Sequence, residues 1–255
     1  MNAAAQRYVF ANTACGSLWT AVAGTEVAFR RSGALWLEAE RMLVVADLHL
    51  EKGSAYAARG QMLPPYDTRE TLRRLDVEVA ALNPAVVVLL GDTFHDRRSE
   101  DRLAEDDALR LINLAQGRTL AWVVGNHDAD GPQRLPGDTH DELSAGGLTF
   151  RAWDRTSGSN GALADTEWTY NQQPNGGLTF RHEPADAPTR GEAAGHLHPC
   201  ARVGAASGRV RRRCFVTDGE RVILPAFGAY AGGLNVMDRA FAGLFARTPL
   251  MGALG

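Results

Sequence analysis

Lysine is almost missing from this 255-residue chain: Lys52 is the only one among 27 basic side chains. Arginine supplies the rest, and with abundant alanine the skew is of the kind genome composition produces. Positive charge is not in excess either. Thirty acidic residues bring the formal net charge to −3, which excludes a protein that grips nucleic acid by bulk charge but leaves room for a local basic patch. Cysteine is scarce. Cys15, Cys200 and Cys214 are odd in number, far apart and free of any CxxC spacing, so they read as reduced thiols of a cytoplasmic protein. No run of eighteen apolar residues exists, and no membrane span is expected. Asn2, Asn12, Thr13 and Gly16 interrupt the first twenty residues, which therefore lack the apolar centre of a signal peptide. Repeats are also absent. What remains is 45% hydrophobic and 22% charged, the composition of a globular chain with a substantial core.

Three short apolar runs punctuate the first half: residues 42–46 (MLVVA), 85–90 (AVVVLL) and 120–124 (LAWVV). Runs of that length, ended at once by polar residues, predict strands covered on both faces. A helix is expected between the first two. Asp67 with Glu70 three positions on reads as a capping box, Leu72, Leu75, Val79 and Leu82 fall on one face, and Asn83-Pro84 stops it. A second helix is expected over 104–115, with Leu109, Ile112 and Ala115 inward and Glu105, Asp106 and Asp107 at its positive end. The alternation predicts a mixed or parallel sheet. The second half reads as shorter strands at 148–152, 178–181, 214–217 and 221–224. Asp218-Gly219 marks a tight hairpin turn. Residues 155–177, with Trp168 and Tyr170 and Trp153 just before, read as a long excursion. No linker divides the chain, so one domain over 1–255 with two layers of sheet is expected.

The chemistry lies where the strands end. Asp47-Leu48-His49 follows the first run, Gly91-Asp92 the second, and Gly125-Asn126-His127-Asp128 the third; Arg181-His182 and Gly195-His196-Leu197-His198 come later. Ligands in open α/β sheets bind at the carboxyl ends of strands. In an extended segment, residues i and i+2 share a side, so Asp47 with His49, and His196 with His198, can each present two donors to one site. Carboxylate, imidazole and amide donors together suit manganese, iron or zinc better than magnesium or calcium. An aspartate on a Gly-Asp turn can bridge two cations, the arrangement that serves in-line phosphoryl displacement. Any one of these histidines alone is more often structural, and the Gly-Asp and Gly-Asn pairs alone are more often turns. Five such elements in order leave coincidence remote.

The ordered set D-x-H, G-D, G-N-H-D, H and G-H-x-H resembles the calcineurin-like metallophosphoesterase superfamily, over roughly residues 42–198. A narrower resemblance is carried by ADLHLEKGSAYAARGQMLPPYDT (46–68), LLGDTFHD (89–96), RHEP (181–184), GHLHP (195–199) and LPAFGAYAGGLNV (224–236). These stretches are similar to the bacterial ligase-associated DNA damage response endonuclease family, PdeM. The resemblance implies an α/β fold of the metallo-dependent phosphatase type, a four-layer sandwich of two mixed β-sheets flanked by helices. It further implies two divalent ions, manganese first, with iron or zinc as alternatives. Asp47, His49 and His198 would hold one ion, Asn126, His182 and His196 the other, and Asp92 both. His127 would contact the phosphate and protonate the leaving oxygen. Water activated between the ions would be the nucleophile. DNA as substrate, and a helicase and a ligase as partners, follow from the family alone.

Other residues keep two readings. Asp128 either orients the His127 imidazole or caps a turn. His95 and Asp96 line the phosphate site or bond to a ligand from outside. Lys52, Tyr56 and Arg59 contact a phosphodiester or belong to a solvated lid. Arg209, Arg211, Arg212 and Arg213 meet a nucleic-acid backbone or protect an exposed edge. His140 reads as a surface residue, and 226–233 as a tight connection rather than a phosphate loop. The functional alternatives are a phosphatase or phosphodiesterase acting on nucleotides or small phosphoesters, and a catalytically silent scaffold on the same fold.

Overall fold

The three apolar runs become three neighbouring parallel strands. In the computed structural model, which describes residues 11–12, 16–144, 177–205 and 208–255, β5 (Met42–Ala46), β6 (Val86–Leu90) and β7 (Thr119–Val123) are buried at every position. They run parallel and in sequence order, β5 to β6 to β7. An antiparallel series precedes them in the same sheet: β1 (Ala11–Asn12), β2 (Leu18–Val22), β3 (Thr25–Phe29) and β4 (Leu35–Leu37). β8 (Asp138–His140) closes it, parallel to β7.

The second sheet is also mixed. Its order is β12 (Cys200–Ala205), β13 (Gly208–Thr217), β14 (Arg221–Ile223), β11 (Glu192–Ala194), β10 (Thr179–Arg181) and β9 (Glu142–Ser144), with β15 (Leu250–Ala253) paired to β13. Strand alternation explains how the two sheets meet. Val44, Ala46, Val88, Leu90 and Val123 turn to one side and pack on Phe180, Ala193, Phe215, Val222 and Leu224 of the second sheet. Phe29 stacks on Phe215 with centroids 4.4 Å apart. The intervening Leu43, Val45, Val87, Leu89 and Trp122 face the opposite way. There they meet Leu72 and Leu75 of α2 (Asp67–Leu82) and, beyond the one-turn α3 (Ser99–Arg102), Leu111 and Leu114 of α4 (Glu105–Leu114). At about 1.5–3 kcal/mol for each large side chain, these two interfaces dominate the stability of the fold. On the far face of the second sheet, Phe241 of a short 3₁₀ turn (Arg239–Phe241) and Leu244 cover Ala194 and Ile223. The fourth layer is thus thin among the described residues.

Three local expectations change. Asp67 does not cap its own helix, whose N-cap is Tyr66 with no side-chain bond. Its Oδ2 instead accepts from Gly53 N at 2.8 Å, an otherwise unpaired amide in the first turn of α1 (Lys52–Ala57). Glu70 pairs with exposed Arg73. The capping box fails because a neighbouring helix competes for the carboxylate. In α4 the buried stripe is Asp107, Leu111 and Leu114; of the residues expected inward, Ala115 is buried just past the helix end, Ile112 is half-buried and Leu109 is 46% exposed, because the helix docks on a face about one residue away from the one periodicity selected. The β13–β14 hairpin forms, but four residues, 218–221, separate the paired Thr217 and Val222. Asp218 Oδ1 accepts from the amides of Glu220 and Arg221, which widens the turn beyond the tight two-residue form. The expected strand at 148–152, the excursion at 155–177 up to its last residue, Trp153, Trp168, Tyr170 and Cys15 lie outside the described residues. Among those described, no helix is long and apolar enough to cross a membrane.

Candidate metal centre

Five strands, three from the first sheet and two from the second, deliver their carboxyl ends to one place. Asp47 and His49 follow β5, Asp92 follows β6, Asn126 and His127 follow β7, His182 follows β10, and His196 and His198 follow β11. The local backbone is not the extended one that the i, i+2 spacing suggested. Asp47 (φ 53°), His49 (46°), Asp92 (37°), His196 (66°) and His198 (45°) all adopt the left-handed conformation. Each such residue costs on the order of 1 kcal/mol. Surrounding hydrogen bonds impose it: His49 N donates to Asp92 O, Leu50 N to Thr93 O, and Phe227 N to Ala46 O, all between 2.7 and 2.9 Å. The alternate residues, Leu48 and Leu197, stay buried in the core, so the polar pairs turn together into the site.

There the donors converge. Asp47, His49 and His198 place one ligand atom each within 4.8 Å of one another, as do Asp92, His182 and His196. His49 Nε2 lies 3.3 Å from His198 Nε2. His182 Nε2 lies 2.8 Å from Asn126 Oδ1 and 3.0 Å from His196 Nδ1. Asp92 joins the two groups, with Oδ2 3.5 Å from His182 Nε2 and 3.8 Å from His49 Nε2. Its other oxygen accepts from His127 N at 2.9 Å, and Asp47 Oδ2 accepts from His196 N at the same distance. Packing this dense needs glycine. A Cβ on Gly91, whose φ is +68°, would sit 1.9 Å from His182 Nδ1, and one on Gly125 would sit 2.2 Å from Asp92 Oδ1.

The electrostatics of the cluster call for cations. Burial first, then the neighbouring His198 and His127, depresses the His49 pKa to about 2. Burial likewise lowers His182 to about 4. Asp92 moves the other way, to about 6, through burial and then the Asp47 charge. The His49 and His182 rings are therefore held neutral, the form that binds metal. Asp47 Oδ1 is fully buried and accepts no hydrogen bond among the described residues, although His182 Nδ1 and His198 Nε2 each stand 3.5 Å away. A buried carboxylate oxygen without a donor is costly. A divalent ion among these oxygen and nitrogen donors removes that cost, and the donor set fits one.

The remaining predicted residues divide. His127 is partly exposed beside the cluster, with Nε2 3.9 Å from Asp92 Oδ2 and Nδ1 2.7 Å from the His95 carbonyl oxygen. Asp128 does not hold that ring. Its Oδ1 accepts from Gly125 N and its Oδ2 from Phe94 N, at 2.9 and 3.0 Å, so it braces two loops, the turn-capping reading. The main-chain carbonyl of His95 takes the orienting place instead, and no sequence signal marks a carbonyl. The His95 side chain joins His49 and His127 in a third group. Its pKa falls to about 4 through burial, then Lys52 and His127, with a smaller effect from Arg59. Tyr56 lies beside it, with ring centroids 5.9 Å apart. Asp96 points away, to Arg102 and Ser99. Arg102 also donates to Ser54; this network ties the His95 loop to α1, and sequence reasoning missed Arg102 and Ser54. His140 is half-buried on β8 and outside the cluster. The 226–233 segment is the tight connection expected: Gly228 N donates to Asp47 O.

Clusters of His and Asp able to hold metal ions stand at the carboxyl ends of strands from two facing mixed sheets, an arrangement suited to a metal-dependent phosphoesterase. The sequence model of the calcineurin-like phosphoesterases matches residues 40–184, more than half of the chain, and the chain belongs to that family. The crystal structure of the Pseudomonas putida nuclease MPE is similar across 98% of this chain and 96% of its own, with a TM-score of 0.57 and 21% identity, a likeness of fold. No curated protein matches the sequence.

Proposed function

We propose that this protein is a dinuclear phosphodiesterase that cleaves DNA. Asp47, His49 and His198 would hold one ion, Asn126, His182 and His196 the second, and Asp92 would serve both, with manganese ahead of iron and zinc. Ions so held would supply Lewis acidity to the phosphoryl group and acidify a water nucleophile. The chain does the rest. His127 donates Nδ1–H to the His95 carbonyl oxygen, which fixes the ring with Nε2 toward Asp92 at the cluster; as the imidazolium it gives its Nε2 proton to the leaving oxygen and is left as the neutral ring. Lys52 and Arg59 add positive charge beside His95, and Tyr56 offers a ring for a base. The observation that carries the reading is the position of Asp92 Oδ2 between His182 and His49.

DNA is the preferred substrate because the quoted stretches resemble PdeM endonucleases and because the structural neighbour is named a nuclease. A repair role beside a helicase and a ligase belongs to the same reading. Turnover of a bis-aryl phosphodiester, an aryl phosphomonoester, nucleotides and several DNA forms tests it. DNA cleavage that requires added metal is expected. Inert DNA alongside rapid nucleotide turnover favours a small-substrate esterase. His127→Ala should keep its metal and lose roughly 10²–10⁴-fold in kcat. Unchanged turnover removes the residue from the chemistry, and a metal-replete wild type inert on every ester leaves the silent scaffold.

A further inference from the structure

Residues 193–217 contain five arginines and no aspartate or glutamate, in a chain of net charge −3. Four of the five share a surface. In the β12–β13 ribbon Cys200 pairs with Arg213, Arg202 with Arg211, and Gly204 with Arg209, and residues two apart on a strand project to the same side. Arg202, Arg209 and Arg211 are exposed and Arg213 is half-buried. No carboxylate pairs with any of them among the described residues. Arg202 directly opposite Arg211 is a like-charge cross-strand pair, which costs stability by itself. Charged side chains blunt sheet edges, but this row of one sign crosses from the edge strand β12 onto β13, which is paired on both sides, and a polyanion complements it.

The inner end of this row is fastened to the metal centre. Arg213 Nη1 donates to the carbonyl oxygens of Ala226 at 2.8 Å and of Phe227 and Gly228 at 3.3 Å, and Gly228 N donates to Asp47 O. Arg211 donates to Gly233 O, and the Gly233 α-carbon packs so closely on His198 O that a Cβ would lie 2.2 Å from it. The row thus leads outward from the backbone of two candidate ligands. Arg209 to Arg213 spans about 13 Å at roughly 3.3 Å per residue. One strand of a duplex presents about four phosphates over that length, one per about 3.4 Å.

We propose that the Arg202, Arg209 and Arg211 face of the β12–β13 ribbon is a track for a polynucleotide backbone that leads DNA to the metal centre. The proposal rests on the DNA reading above. Its test uses the full-length, metal-loaded protein, a labelled DNA duplex followed by fluorescence anisotropy across a salt series, and turnover of a bis-aryl phosphodiester in parallel. The variants are Arg202→Ala with Arg209→Ala, and Arg202→Glu with Arg209→Glu, since neither side chain makes a hydrogen bond among the described residues. The alanine pair should weaken duplex binding roughly tenfold or more at low salt and reduce the slope of log K against log salt by about 1.8. The glutamate pair should weaken it further, with small-ester turnover unchanged in both. Unaltered affinity and slope in variants of an enzyme that still cuts DNA overturns the track and leaves the DNA reading standing. An equal loss on the small ester also overturns it, because the effect then lies at the metal centre. A wild type that hydrolyses the ester but neither binds nor cuts DNA overturns the DNA reading, and the track with it.

Discussion

Removing the metal should make this protein acid-sensitive by an amount set by its buried imidazoles. Folding lowers the His49 pKa from 6.5 to about 2 and that of His182 to about 4, both chiefly by burial. Above pH 6.5 these rings are neutral in the folded and unfolded chain alike, and stability is unaffected. As the pH falls below 6.5, the unfolded chain takes up protons that the fold refuses, and stability drops by about 1.4 kcal/mol per pH unit for each ring. Asp92 opposes this between about pH 6 and 3.8, because its raised pKa makes the fold bind a proton that the unfolded chain has already released. The two ligand rings therefore act unopposed from pH 6.5 to 6, and below that Asp92 offsets roughly one of them; half-exposed His95, also lowered to about 4, adds a solvent-screened loss of the same sign. The metal-free protein should lose about 3–5 kcal/mol between pH 6.5 and 4.5. Urea unfolding after chelation, monitored by fluorescence of the buried Trp36 and Trp122, measures the loss. Replacing His49 and His182 with Gln should flatten the curve. A midpoint that holds steady or rises as the pH falls to 5 refutes the argument, since it means that these rings are not buried as neutral bases.

Two substitutions probe the scaffold of the site. Gly91→Ala places a methyl against His182 Nδ1 at a positive φ; it should cost roughly 1–2 kcal/mol from the backbone alone and lower the metal-to-protein ratio measured by elemental analysis, and full metal content argues against the packing described. Asp128→Ala should destabilise by about 2–4 kcal/mol through the unpaired amides of Gly125 and Phe94. If its destabilisation is negligible while kcat falls steeply, Asp128 acts on the chemistry and not as a brace.

Much of the site was legible because its signal is local. The runs at 42–46, 85–90 and 120–124 have the length and β-branched content of buried strands, and the polar residues at their carboxyl ends are read directly: Asp47 and His49, Asp92, Asn126 and His127. The second sheet was read less completely, since β9 and β11 are three residues long and pair with strands distant in sequence, and β12 (CARVGA), though paired with the adjacent β13, lacks an apolar run. Asp67 illustrates the limit. Its own sequence neighbourhood offers a capping box, and only the approach of α1 redirects the carboxylate to Gly53. Asp128 illustrates it again, because which amides its oxygens meet depends on the loop that carries Phe94.

Residue chemistry and strand order along the chain therefore decided by themselves which side chains are available as donors and that they stand at strand ends. The tertiary structure decided how they converge. It turned five candidate ligands into the left-handed conformation, set Asp92 between the two groups, gave the His127 ring a main-chain carbonyl as its partner, and brought four arginines onto one face of a ribbon. Those outcomes depend on hydrogen bonds and packing between segments up to 150 or so positions apart, such as His49 and His198, and no local pattern encodes an approach between distant parts of a chain.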